Sequence, residues 1–147
     1  MRERVLYESV RALLGDDEKI EQLVHMWSRH RLLLPYALVA AGLMLIVSIV
    51  VGVDQWSGRV GLALGAAAVA AMATTNYRVL VQTPSNLVLM RSSKVRQKAL
   101  AVIERLPLDT PVAPAGSNLV ITDWELAGVT YSVMKRYQQA MTFIATR

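Results

Sequence analysis

The sequence predicts a membrane α + β protein: a two-helix transmembrane hairpin, preceded by amphipathic helices and followed by a small β-rich domain that ends in a helix. Three observations predict it. Two runs without charge, 22 residues between Arg31 and Asp54 and 18 between Arg59 and Arg78, are each of a length that crosses a bilayer as a helix. Before the first run apolar residues recur at helical spacing. After the second, apolar stretches of strand length are punctuated by Pro, Gly and Asn.

The elements follow in order. In residues 1–14, Val5, Leu6, Val10, Leu13 and Leu14 fall on one side and Arg2, Glu3, Arg4, Glu8 and Arg11 on the other, an amphipathic helix. Gly15 stops it, and Asp16 or Asp17 suits the N-cap of a second helix. There Ile20, Leu23, Val24 and Trp27 lie at offsets of zero, three, four and seven, with Glu18 and Glu21 in the first turns where carboxylates favour the helix dipole. Residues 1–31 are therefore expected to be cytoplasmic helices, and residues 32–77 the hairpin, with spans 32–53 and 60–77. Trp27, Arg29 and Arg31 mark the interface on entry and Trp56 the far one, the aromatic and basic belt that headgroups select. The loop from Asp54 to Arg59 is short enough to make the spans antiparallel neighbours.

Lys and Arg flank the outer ends of the hairpin (Arg29, Arg31, Arg78, Arg91, Lys94), whereas the loop has Arg59 alone, offset by Asp54. The positive-inside rule then expects a multi-pass cell-membrane protein with both termini cytoplasmic. The second span is lined with small residues, Gly61, Gly65 and Ala68 among them, which let helix backbones approach closely in lipid. Two partners fit that stripe: the first span of the same hairpin, or a helix of another subunit.

Residues 78–147 read as the β-rich domain. Tyr77–Thr83 and Leu87–Arg91 form a hairpin around Pro84-Ser85-Asn86; Ala99–Leu106 fits either strand or helix. Pro107, Pro111, Pro114 and Gly116 punctuate a loop, and Leu119–Thr122 is a short strand. Val129–Met134 alternates with period two, and Tyr137, Ala140, Met141 and Ile144 return to helical spacing. Four or five strands closed by a terminal helix are expected.

The stretch LVLMRSSKVRQKALAVIERLPLDT at Leu87–Thr110, taken with WELAGVTYSVMKRYQQA at Trp124–Ala140, resembles a group of small actinobacterial two-pass membrane proteins with a bacterial pleckstrin-homology-like (PH-like) C-terminal domain. The basic Arg-Ser-Ser-Lys exit of one strand, Arg105-Leu106-Pro107 before Asp109-Thr110-Pro111, and the late strand ending in Lys135-Arg136-Tyr137 carry the resemblance. It implies a non-enzymatic binding or scaffolding domain and brings no established ligand with it. Residues 78–147 are few for a full seven-strand PH-like barrel plus helix, and a trimmed version of it is implied.

The chemistry in the chain is sparse. There is no cysteine, hence no thiolate nucleophile or metal ligand. The two histidines, His25 and His30, are five apart rather than the four that put a zinc pair on one helix face. No phosphate-binding glycine loop or nucleophile elbow is present, and neither span carries an ionisable group of the kind that coupled transport needs. No catalytic, cofactor-binding or metal residues, and no cofactor, are therefore expected. Beyond the second span 9 Lys and Arg face 4 Asp and Glu, which accounts for the whole net charge of +5. Arg91, Lys94, Arg96 and Lys98 form a run without an acid and are candidate contacts to anionic phospholipid. No groove-reading motif accompanies them, so nucleic acid is not expected. The leading expectation is an accessory or assembly subunit bound to other integral membrane subunits of a larger complex, with respiratory and transport machinery as candidate settings. The alternative is a membrane-tethered module that binds anionic headgroups or a peptide through its basic domain.

Overall fold

A computed structural model describes residues 2–30, 32–96 and 98–147. The chain divides into two units: residues 1–28 with 76–147, and residues 29–75. The helical hairpin is thus an insertion within the β-rich unit, whose two parts flank it in sequence.

The first unit is built on a seven-stranded, wholly antiparallel sheet. Its strands are β1 (Gln22–Ser28), β2 (Asn76–Gln82), β3 (Asn86–Ser92), β4 (Ala99–Pro107), β5 (Val112–Ser117), β6 (Ile121–Leu126) and β7 (Val129–Met134). They lie in the order β4-β3-β2-β1-β7-β6-β5. β1 pairs with β2 along its whole length, from Gln22 opposite Gln82 to Ser28 opposite Asn76, and with β7 through Met26–Val133 and Trp27–Ser132.

β1 corrects the expectation of a second N-terminal helix. The stripe Ile20, Leu23, Val24 and Trp27 does not lie on a helix: residues 22–28 are the central strand of the sheet. A central strand with both faces covered loses the polar–apolar alternation that would reveal it. Here Val24 and Met26 enter one core, while Leu23 packs on the other. The carboxylates expected to cap that helix or serve its dipole pair elsewhere: the N-cap candidate Asp16 with Arg11 at 2.9 Å, Glu18 with Arg105 at 2.6 Å, and Glu21 with Arg147 at 2.7 Å. The last two tie the segment before β1 to β4 and to the C-terminus.

One open alternative and one further correction concern strand count. Ala99–Pro107 resolves as strand, and Val112–Ser117, expected as loop, is β5. β5 is an edge strand, where a proline such as Pro114 removes no ladder hydrogen bond that the sheet needs. Among the described residues, the segment expected to hold four or five strands has six, β2 to β7, and β1 makes seven in the sheet. β6 and β7 are joined by the two residues Ala127 and Gly128, with φ of +50° and +78°. Positive φ at both positions is what a type I′ two-residue hairpin turn requires.

Each sheet face has its own helix. Helix α1 (Arg2–Leu14) places Leu6 and Val10 on Val79, Val81, Val88, Met90 and Ala99. Its Ser9 Oγ accepts a hydrogen bond from the Ala99 N–H at 2.9 Å. On the other face Met141 and Ile144 of the C-terminal helix α4 (Gln138–Ala145) join Val24, Met26, Leu80, Leu87, Trp124, Tyr131 and Val133. Helices on opposite faces thus cover the two buried cores, as a layered fold requires, while Leu100 and Ile103 of the edge strand β4 stay exposed.

The second unit holds helices α2 (Leu33–Val50) and α3 (Trp56–Thr74). Arg59 closes the connection between them, its Nε donating to the Val53 carbonyl at 2.6 Å. At 18 and 19 residues the helices are about 27 and 28 Å long, long and apolar enough to cross a membrane of roughly 30 Å hydrocarbon thickness. Within the hairpin Ser48 and Ala63 are buried, while Leu34, Leu38, Val39, Ile46, Leu64 and Val69 point outward.

Candidate functional site

The residues singled out from sequence separate into two places. In the hairpin, α3 turns Ala63 inward, to 6% exposure. Gly61 and Gly65, four apart, share a different face; both are exposed, and a Cβ built on either meets nothing within 4 Å. The two glycines are therefore not consumed by packing against α2. They line an apolar groove of about 550 Å³ with Ala40 and Met44 of α2 and Leu62, Ala66, Val69 and Ala70 of α3. Ala68 is exposed but does not line the groove.

The second place is the end of the sheet where β2 begins and β3 finishes. Arg78 of β2 stands directly opposite Arg91 of β3 in the ladder. Like charges so placed repel, and cross-strand pairs of this kind destabilise a sheet. Neither arginine takes part in an ion pair among the described residues. With Asn76, Ser92, Ser93, Lys94 and Leu100 they line a hollow of about 320 Å³, and none of the described lining residues is a carboxylate. The β3–β4 turn beside it is closed by the Ser93 N–H donating to the Lys98 carbonyl at 2.8 Å. Arg96 and Lys98 are exposed on that turn and do not line the hollow, and Val95 at its tip is 89% exposed. The run expected from sequence thus divides: Arg91 and Lys94 join the hollow, and Arg78 and Asn76, missed before, complete it. Only strand register brings Arg78 to Arg91.

A larger, shallower depression of about 780 Å³ lies along α4, lined by Lys135, Arg136 and Phe143 among others. Two nearby guanidinium groups are already engaged: Arg136 stacks over Tyr137, and Arg147 stacks over Phe143 while pairing with Glu21.

The interface residues are equally dispersed. Trp27 is half-buried within β1, opposite Tyr77 of β2 and Ser132 of β7. Arg29 is exposed just beyond the strand, Trp56 is 69% exposed at the start of α3, and Arg31 lies outside the described residues. His25 is buried in β1 with its ring stacked on Tyr77 at 5.8 Å. Its Nε2 is buried without a hydrogen-bond partner. Burial pushes its pKa below the usual 6.5, and the charge of Arg136 pushes the same way. His30 is exposed, its Nδ1 accepting from the Leu32 N–H at 3.2 Å. Among the described residues no group of three or more His, Cys, Asp or Glu is placed to hold a metal ion. Comparison with protein-family models, curated proteins and solved structures returned no match to this chain.

Proposed function

We propose that this protein is a non-enzymatic accessory or assembly subunit of a larger membrane complex, and that a transmembrane helix of another subunit occupies the groove at Gly61 and Gly65. The observation that carries the reading is the unspent glycine face: the hairpin closes through Ala63, and the surface best suited to close backbone approach is left open. The reading takes α2 and α3 as membrane spans with both termini cytoplasmic. Arg29, Arg78, Arg91 and Lys94 outside the hairpin against Arg59 in its loop support that orientation. The seven antiparallel strands and terminal helix of the first unit support a PH-like domain of the actinobacterial two-pass type, serving as the cytoplasmic scaffold.

Gentle detergent extraction followed by native sizing and cross-linking mass spectrometry tests the proposal. The chain is expected in an assembly larger than itself, cross-linked to other integral membrane proteins. Gly61→Leu with Gly65→Leu is expected to release it. A Cβ at either position meets nothing within 4 Å, so Gly61→Ala with Gly65→Ala, which leaves the hairpin's own packing untouched, is expected to loosen the assembly in the same direction and to a smaller degree. A wild-type chain that elutes as a monomer with no co-purifying protein overturns the reading.

A further inference from the structure

The hollow at Arg78 and Arg91 suits an anion, since among the described residues neither guanidinium takes part in an ion pair. We infer that the end of the sheet formed by Arg78, Arg91, Lys94 and the Val95 turn docks on an anionic phospholipid surface. A lipid phosphate would sit between the two guanidinium groups, and Val95 would enter the glycerol layer. The inference rests on the hairpin crossing a membrane, and on nothing about a partner helix.

Three independent observations carry it. First, Arg78 and Arg91 are held opposite one another in register, with no acidic partner in an ion pair among the described residues. Burying Tyr131 raises its pKa; Arg78 counters that rise while Glu104 adds to it, yet Glu104 forms no ion pair with either arginine among the described residues. Arginine's planar fork is suited to two-point contact with a phosphate, and two forks facing one hollow suit it better. Second, the neighbouring turn exposes an aliphatic side chain, Val95, at 89%, between Lys94 and Arg96. An exposed Val between cations is poorly placed in water and well placed at a headgroup boundary, where apolar burial and attraction to anionic lipid act together. Third, the chain leaves this unit for the apolar helices after Ser28 and re-enters at Asn76, and these two residues are paired in the ladder. Asn76 itself lines the hollow. The cationic end is therefore the end at which the chain runs into its apolar insertion.

The absence of cysteine in the chain permits a direct test. The full-length Val95→Cys variant, labelled with an environment-sensitive fluorophore, is reconstituted in nanodiscs of phosphatidylcholine alone or with increasing phosphatidylglycerol. The emission is expected to move to the blue as phosphatidylglycerol is added, to stay at its aqueous position in phosphatidylcholine, and to return towards that position as salt rises. Arg91→Gln is expected to weaken docking about fivefold at a fixed phosphatidylglycerol fraction, the equivalent of one cation near the surface, and so to move the half-shift to a higher fraction. Arg78→Gln with Arg91→Gln together should move it out of range. Thermal unfolding provides a second readout: Arg91→Gln relieves the like-charge pair, so its midpoint in phosphatidylcholine is expected to hold or rise.

An aqueous emission in phosphatidylglycerol discs overturns the inference. So does an equal shift in both lipids, an unaltered response in the double variant, or a lower midpoint for Arg91→Gln. Inorganic phosphate that abolishes the shift where chloride of equal ionic strength does not would make the hollow a site for soluble phosphate, and also overturns it. Failure of the underlying membrane reading is distinguishable, since the chain would then not co-purify with the discs.

Discussion

At the scale of single residues, His25 sets how the fold responds to acid. The imidazole is 8% exposed, stacked on Tyr77, with Nε2 buried and unpartnered. Desolvation and then Arg136 lower its pKa in the folded chain. The unfolded chain, with the ordinary value near 6.5, therefore binds the proton more readily than the folded one. The stability contributed by neutral His25 is complete above pH 6.5 and is lost as pH falls from 6.5 through the lowered folded value. Thermal midpoints measured from pH 8 to pH 5 are expected to decline below about pH 6.5. His25→Phe keeps a ring against Tyr77 and removes both the titration and the unpaired nitrogen, so its midpoint should decline less. A variant as acid-sensitive as the wild type would show that other groups control the response.

At the scale of elements, α1 is part of the core rather than an appendage. Leu6 is 3% exposed and Val10 fully buried against the β2–β3–β4 face, and Ser9 satisfies the Ala99 N–H. Leu6→Ala is expected to destabilise the sheet unit by about 2–5 kcal/mol, the usual cost of cutting a buried Leu to Ala, read as a lower denaturation midpoint in detergent. A helix lying on the bilayer, or reserved for a partner, would show no such change. The amphipathic pattern of residues 1–14 was legible in sequence because one stripe of the helix is buried and the opposite one is wet. β7 was legible for the equivalent reason at period two. β1 was not: with its middle buried and apolar residues on both faces, Gln22–Ser28 has no polar side to reveal its period, and Leu23, Val24 and Trp27 happen to continue a helical stripe from Ile20. β5 was hidden by Pro114, whose edge position is a property of the whole sheet. The glycine stripe and the basic run were visible as composition. Which side the glycines face, and the meeting of Arg78 with Arg91, follow from packing and register that no local pattern encodes.

At the scale of the whole molecule, the insertion of residues 29–75 between β1 and β2 makes the sheet unit discontinuous in sequence. β1 lies between β2 and β7 and provides the connection between β4-β3-β2 on one side and β7-β6-β5 on the other. A fragment of residues 77–147 lacks that strand, and its two three-stranded halves lose the residues that join them, including the fully buried Val24 and Met26. It is expected to aggregate or to unfold without cooperativity. The opposite construction follows from the same topology. Ser28 and Asn76 face each other across an antiparallel ladder, about 5 Å apart between Cα atoms, a gap that a two-residue Asn-Gly turn closes. A chain in which Asn-Gly replaces residues 29–75 should therefore fold as a water-soluble monomer. Circular dichroism should show a β-rich spectrum, and thermal unfolding a single cooperative transition. Size-exclusion chromatography and circular dichroism on the two proteins side by side decide the matter: a folded fragment of residues 77–147, or an unfolded Asn-Gly chain, would mean that β1 is not the centre of the sheet.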